Sequence, residues 1–212
     1  MRTLLIDAHE LPAVNLQAES GLLMVMPYID EAAAHRATGQ ISQRAQAEGL
    51  ILAIRDSEQR GFIHIANQAF RQSRSSLFGY IAQDAFAGRG WGQRVLAAFA
   101  QNPARGLLAL NDGKWNGLLA AFGVVRRSWA EHNYAGDLFM PGYFGHYADV
   151  ELTLLALQAG VHAYDPNCVM MEVDYEKDGK PVHAPDQHLF KTRRATGFDG
   201  RVHAEKLLKL FE

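Results

Sequence analysis

The chain has 212 residues, a net charge of -2 and 48% apolar residues, which suits a globular protein with a substantial core. That near-neutral balance argues against a protein built to grip nucleic-acid phosphates, which needs a strong positive excess. The one cysteine, Cys168, excludes an internal disulfide and suits a reducing compartment. The opening MRTLLIDAHELP holds only a short apolar run, Leu4 to Ile6, too brief for a signal peptide. No stretch approaches the roughly 20 apolar residues that span a bilayer. A cytoplasmic location with no transmembrane segment is expected.

Gly21 to Pro27 is a continuous apolar run, as in a strand covered on both faces. An Ala-rich helix follows to about Glu48, with Asp30 as N-cap and Gly49 as terminator. Leu50 to Ile54 is a second buried strand. From Gly61 to Ser73, residues Phe62, Ile65, Ala66, Ala69 and Phe70 fall at helical spacing. Phe78 to Ala82 forms a third strand, and Trp91 to Ala100 a third helix. This alternation predicts right-handed crossovers and a mainly parallel sheet.

The second half changes character. Gly106 to Leu110 and Gly117 to Val125 read as strands joined by the loop Asn111 to Asn116. Arg126 to Glu131 reads as a short helix, Asn133 to Tyr147 as a long loop rich in Gly and aromatics, and Ala148 to Gln158 as a helix. Strands are expected around Val161–Tyr164 and Val169–Val173. Asp178 to Gly200 is polar and carries the basic cluster Lys191, Arg193 and Arg194; Val202 to Phe211 fits an amphipathic helix. The fold class is α/β, a three-layer α/β/α arrangement with a mainly parallel, mixed central sheet, in one domain spanning 1–212.

Three strand ends carry polar residues: Pro27-Tyr28 with Asp30, Asp56, and Gln83-Asp84. Parallel strands end on one edge, where open α/β proteins place their ligands. A carboxylate such as Asp84 at that edge can hold a hard divalent cation, and the cation a diphosphate. An Asp in this position equally opens turns and caps helices.

The series MVMPYIDE, AIRDSEQRGFIHIANQAF and GYIAQDAFAGRGW resembles the nucleotide-sugar-binding half of family-two glycosyltransferases with the GT-A fold. The segment His146 to Leu152 is similar to that family's acidic helix start, which supplies the catalytic base. The matches span roughly residues 21 to 175. The resemblance implies a sugar transferase, hexosyl or pentosyl, that moves a sugar from a UDP-sugar or similar donor to an acceptor hydroxyl, with inversion and with help from Mn²⁺ or Mg²⁺. Residues about 20–105 would form the donor half and about 106–212 the acceptor half with its tail.

Residue by residue, the resemblance implies that Pro27, Tyr28, Asp56, Arg60, Asn67, Gln83 and Asp84 bind the nucleotide-sugar. Asp56 would accept a hydrogen bond from a base N–H. Asp84 would hold the metal, with His188 or His183 completing the site; Gln83 stands where many relatives carry another acid and adds no charge. Asp149 is the expected general base, held by a helix N-terminus, and Glu151, on another face of that helix, would steady the site. Asn111, Asp112 and Trp115 would face the acceptor: a glycan, a lipid-linked sugar, a protein or a modified nucleic acid. Lys191, Arg193 and Arg194 read either as a lid over the diphosphate or, slightly better, as a solvated charge run. Arg89, Arg94, Arg126 and Arg127 could form a basic face. Two rivals carry different signatures. A nucleotidyltransferase wants a Gly-rich, Arg/Lys-bearing loop after the first strand, which the segment after Met26 lacks; a non-catalytic sugar- or nucleotide-binding module is favoured by Gln83.

Overall fold

A computed structural model of the chain describes residues 1–19, 21–173 and 182–211. The part of the polar segment from Asp178 to Pro181 lies outside them. The strands are β1 (Arg2–Asp7), β2 (Leu22–Tyr28), β3 (Leu50–Arg55), β4 (Leu77–Tyr80), β5 (Ala85–Ala87), β6 (Leu107–Asn111), β7 (Gly123–Arg126) and β8 (His162–Glu172). The helices are α1 (Glu31–Arg44), α2 (Phe62–Gln72), α3 (Trp91–Gln101), α4 (Arg127–Ala130), α5 (Ala148–Gln158), α6 (Ala184–Ala195), α7 (Gly197–Gly200) and α8 (Glu205–Leu208).

The strands form one mixed sheet in the order β1-β3-β2-β4-β7-β6-β8-β5. The first four in that order run parallel, β7 is antiparallel to β4 and to β6, and β8 runs parallel to β6. Because β2 and β3 are covered on both faces, their side chains divide by alternation. Leu23, Val25, Leu50, Leu52 and Ile54 enter one apolar cluster with α2 and α5. Leu22, Met24, Met26, Ile51 and Ala53 enter the other with α1 and α3. Helix α5 is apolar almost all round, as a helix buried on most sides must be. The Trp91 indole N–H donates to the Ile41 carbonyl at 2.9 Å and ties α3 to α1.

Most predicted elements are present, with altered bounds. The opening segment forms β1, a parallel edge strand on β3 that its lone apolar triplet did not reveal. The expected strand over 117–125 is confined to Gly123–Arg126, and the two strands expected after α5 are one, β8, whose register on β6 shifts between Ala109 and Asn111. Strand β5 was not expected, because three residues carry no period. Tertiary partners make it: β8 pairs one edge, while the Gln40 amide on α1 donates to the Ala85 carbonyl (2.9 Å) and accepts from the Ala87 N–H (3.1 Å) on the other. The expected helix over 202–211 is only the short α8. Arg126 and Arg127, both half-buried, spend their guanidinium groups on backbone carbonyls. Arg126 donates to the carbonyls of Phe99, Asn102 and Arg105, and Arg127 to those of Phe70 and Ser75. Among the described residues no helix is long and apolar enough to cross a membrane.

Candidate active site

The register Pro27↔Ile54 and Tyr28↔Arg55 brings the ends of β2 and β3 to one edge, and the end of β4 lies beside them. Gln83 joins these ends: its side-chain oxygen accepts from the N–H groups of Ile29 (2.8 Å) and Asp30 (3.0 Å). Asp30 caps α1 by accepting from Ala33 N–H at 3.0 Å, as expected from sequence. Asp84 follows at the start of β5, its carbonyl accepting from Val173 N–H (3.1 Å). Asp30, Arg36, Gln40, Gln83, Asp84, Phe86 and Val173 border an open cavity of about 570 Å³.

Two expected donor contacts, Asp56 and Asn67, are committed to the fold. Asp56 is buried, and its two oxygens accept from the N–H groups of Arg60 and Gly61, both at 2.8 Å. It closes the turn before α2, which its place after a strand and before a glycine also suited. Asn67 is 2% exposed. Its amide nitrogen donates to the Phe139 carbonyl (2.9 Å) and its oxygen accepts from Phe139 N–H (2.8 Å). This clamp occupies the Asn67 amide within the fold, where the resemblance implied a donor contact. Asn67→Ala is expected to cost about 1–3 kcal/mol, since it leaves two buried backbone groups unpaired. A denaturant midpoint equal to that of the parent would refute this clamp. Arg60 pairs with Glu58, its Nε 2.8 Å from the carboxylate, at the surface.

Helix α5 begins at Ala148 and carries Asp149 in its first turn. A relay holds that turn: Tyr80 donates to the Ala120 carbonyl (2.7 Å), Ala120 N–H to Thr153 Oγ1 (3.2 Å), and Thr153 to the Asp149 carbonyl (2.7 Å). Asp149 keeps part of its surface accessible, yet protein atoms crowd round it, so it is reachable and poorly hydrated. This desolvation pushes its carboxyl up to about 6; the charges of Asp112 and Glu172 add to the rise, and the N–H groups of Val150 and Asp149 oppose it. Tyr80 is held well above its ordinary range by burial first and by Asp149 second.

Asp112 is 5% exposed. Its Oδ1 accepts from Lys114 N–H (2.9 Å) and Trp115 N–H (2.8 Å). Asn111 donates to the Pro166 carbonyl at 2.7 Å, and the Trp115 ring meets Phe211 edge-on at 6.1 Å. Glu172 pairs in register with Ala85, next to Asp84. The structure thus links Asp149, Asp112 and Glu172 electrostatically and sets Asp84 beside Glu172. Glu172 had no sequence signal, because it ends a strand whose partners are known only in three dimensions.

Within the basic cluster Lys191 is exposed, whereas Arg193 is drawn into a buried ion pair. Glu151, fully buried on α5, accepts from Arg193 Nε (2.8 Å) and Nη2 (2.7 Å), from the Tyr134 hydroxyl (2.8 Å) and from the Tyr143 hydroxyl (2.9 Å), with Arg201 at 3.4 Å. A charged residue in an otherwise apolar helix signals such a partner, but not which one. Asp186, 2% exposed, accepts from the N–H groups of Phe144 (2.8 Å), Gly145 (2.9 Å) and His146 (2.8 Å). Those bonds hold its carboxyl below the usual range although burial pushes the other way.

Among the described residues no three His, Cys, Asp or Glu side chains are arranged to hold a metal ion. His188 is exposed on α6, and His183 Nδ1 lies 3.2 Å from Asp186 Oδ1. Asp84 by itself suits Mg²⁺ or Mn²⁺: hard cations take one or two protein carboxylates and fill the remaining positions with substrate phosphates and water.

No family model matches the sequence, and no curated protein is significantly similar to it. Solved structures do match. The mannosyltransferase PcManGT from Pyrobaculum calidifontis, in complex with GDP-Man and Mn²⁺, is 13% identical with a TM-score of 0.52, covering 89% of this chain and 66% of that one. TarS 1-349 from S. aureus, in complex with UDP, is 10% identical with a TM-score of 0.56, covering 88% and 76%. The chain therefore has a glycosyltransferase-like fold. At such identities the likeness speaks for the fold and not for the chemistry.

Proposed function

We propose that the protein is an inverting glycosyltransferase of the GT-A type, moving a sugar from a nucleotide-diphosphate sugar, a UDP-sugar in the first instance, to an acceptor hydroxyl. In this reading residues about 20–105 hold the donor and about 106–212 the acceptor. The observation that carries it is Asp149: a half-buried, poorly hydrated carboxylate in the first turn of α5 that feels the charge of Glu172, whose strand partner Ala85 follows Asp84. With its carboxyl raised to about 6, it is ionised at neutral pH and basic enough to take a proton.

Asp149 removes the proton from the acceptor hydroxyl as that oxygen bonds to the anomeric carbon. The bond from that carbon to the diphosphate breaks on the opposite face, and the nucleoside diphosphate leaves with the electron pair. Mg²⁺ or Mn²⁺ held at Asp84, when bound, supplies positive charge for the leaving diphosphate. Asn111, Asp112 and Trp115 line the acceptor side. Glycans and lipid-linked sugars both offer the required hydroxyl.

The test is a thermal-shift screen of nucleotide-sugars with Mn²⁺, followed by transfer assays. A donor that binds the folded state raises its stability by about 2.7 kcal/mol at a hundredfold excess over Kd. Asp84→Asn is expected to remove the Mn²⁺ dependence of that shift while leaving the melting temperature without ligand nearly unchanged. A variant with the parent's full Mn²⁺-dependent shift would exclude Asp84 as the metal anchor.

A further inference from the structure

The start of α5 is not specified locally. Its N-cap position is Tyr147, which sits in the left-handed region at φ 67° and makes no side-chain capping bond. A residue there without a glycine's freedom is held by its surroundings. Those surroundings are largely one face of α6. Asp186, Phe190 and Arg193 are spaced i, i+4 and i+7, so they share one side of that helix. Asp186 accepts from three successive N–H groups at 144–146. The Phe190 ring stacks on Tyr147 at 4.7 Å and 18°. Arg193 makes two bonds to Glu151. From the opposite side, Ile63 N–H donates to the Phe144 carbonyl at 3.2 Å, and Gly61, at φ 90°, allows the close approach a Cβ would block.

These three grips bracket Asp149 in sequence, at 144–147 before it and at 151 after it. None of the hydrogen bonds or ring contacts just described is made to the Asp149 carboxylate itself. We propose that α6 is a positioning element for the base, with Asp186 and Phe190 as positioning residues that fix the first turn of α5 and so the place of the Asp149 carboxylate. The proposal rests on the reading of Asp149 as the base. It adds that the base depends on a helix more than thirty residues further along the chain. Asp112, Glu172 and Tyr80, none of them on α6, act electrostatically on the same carboxylate or feel its charge.

The experiment follows the Asp149 carboxyl by ¹³C NMR titration of the whole protein, assigned with Asp149→Asn, in the parent and in Asp186→Asn, Phe190→Leu and Phe190→Tyr. Phe190→Leu removes the stack without stranding a buried charge, so it gives an answer even if Asp186→Asn does not fold. Loosening the turn admits water, and the titration midpoint is expected to fall by about one pH unit in Asp186→Asn and Phe190→Leu. Phe190→Tyr, which keeps the stack, should retain the parent midpoint. Once a donor is known, the same two variants should lose about tenfold or more in kcat with little change in donor KM. An unchanged midpoint in folded Phe190→Leu overturns the proposal. A parent protein that binds nucleotide-sugars but transfers nothing defeats the transferase reading instead, and leaves the titration to judge α6 on its own.

Discussion

Asp149→Asn is expected to abolish sugar transfer and, at pH 8, to make the protein more stable than its parent. The first effect follows from removing a general base, about 10²- to 10⁴-fold in rate. The second follows from the sign of the shift. The folded carboxyl titrates at about 6, above its unfolded value near 4. Between those values the folded state holds more protons, so stability falls as pH rises. Two units correspond to about 3 kcal/mol at full effect; allowing for the part of the side chain that water reaches, about 1–3 kcal/mol is expected. Loss of a negative charge at a helix N-terminus works against this by only about 0.3–1 kcal/mol. The desolvation effect wins, and the melting temperature at pH 8 should rise by roughly 2–6 °C. Below pH 4, where both proteins carry a neutral group, the gap should close. A variant less stable than the parent at pH 8 would show Asp149 to be a helix cap rather than a strained base, and undiminished transfer would remove it from the mechanism.

Arg193→Met is expected to be the most damaging single change to the fold. Glu151 has no exposed surface, and Arg193 supplies two of its hydrogen bonds. Taking one partner from a buried ion pair leaves an uncompensated charge and costs about 3–5 kcal/mol. The Tyr134 and Tyr143 hydroxyls and Arg201 remain, which favours the lower end. Chemical denaturation should read this as a large fall in midpoint. Glu151→Gln combined with Arg193→Met removes both charges and should recover a good part of the loss. A double variant as unstable as the sum of its singles would mean that the two residues do not act as a pair.

The same network shows where sequence reading ends. Burial of β2 and β3, the helical period of α2 and the Asp30 cap are local patterns, and all are present in the structure. The convergence of strand ends on one edge follows from parallel crossovers and was equally legible. What a polar side chain does at that edge was not. Asp56 and Gln83 read as ligand contacts, yet their oxygens accept backbone N–H groups that the loops would otherwise leave unpaired. The partners of Asn67 and Arg193 are illegible for the same reason. Phe139 and Glu151 are 72 and 42 residues away in the chain, beyond the reach of any periodicity.

The sequence by itself determined the α/β class, the order of buried strands and amphipathic helices in the first half, and Asp84 as a strand-end carboxylate, because hydrophobic period and capping chemistry act within a few residues; Asp149 became a candidate through the resemblance of His146 to Leu152 to a glycosyltransferase segment. Only the tertiary structure decided that β1 and β5 are strands, that Asp112 and Glu172 press on Asp149, and that Asp186 of α6 takes up the N–H groups just before α5. Those outcomes depend on satisfying backbone groups and balancing buried charge across the sheet, and such requirements are met by whichever distant residue the fold brings near.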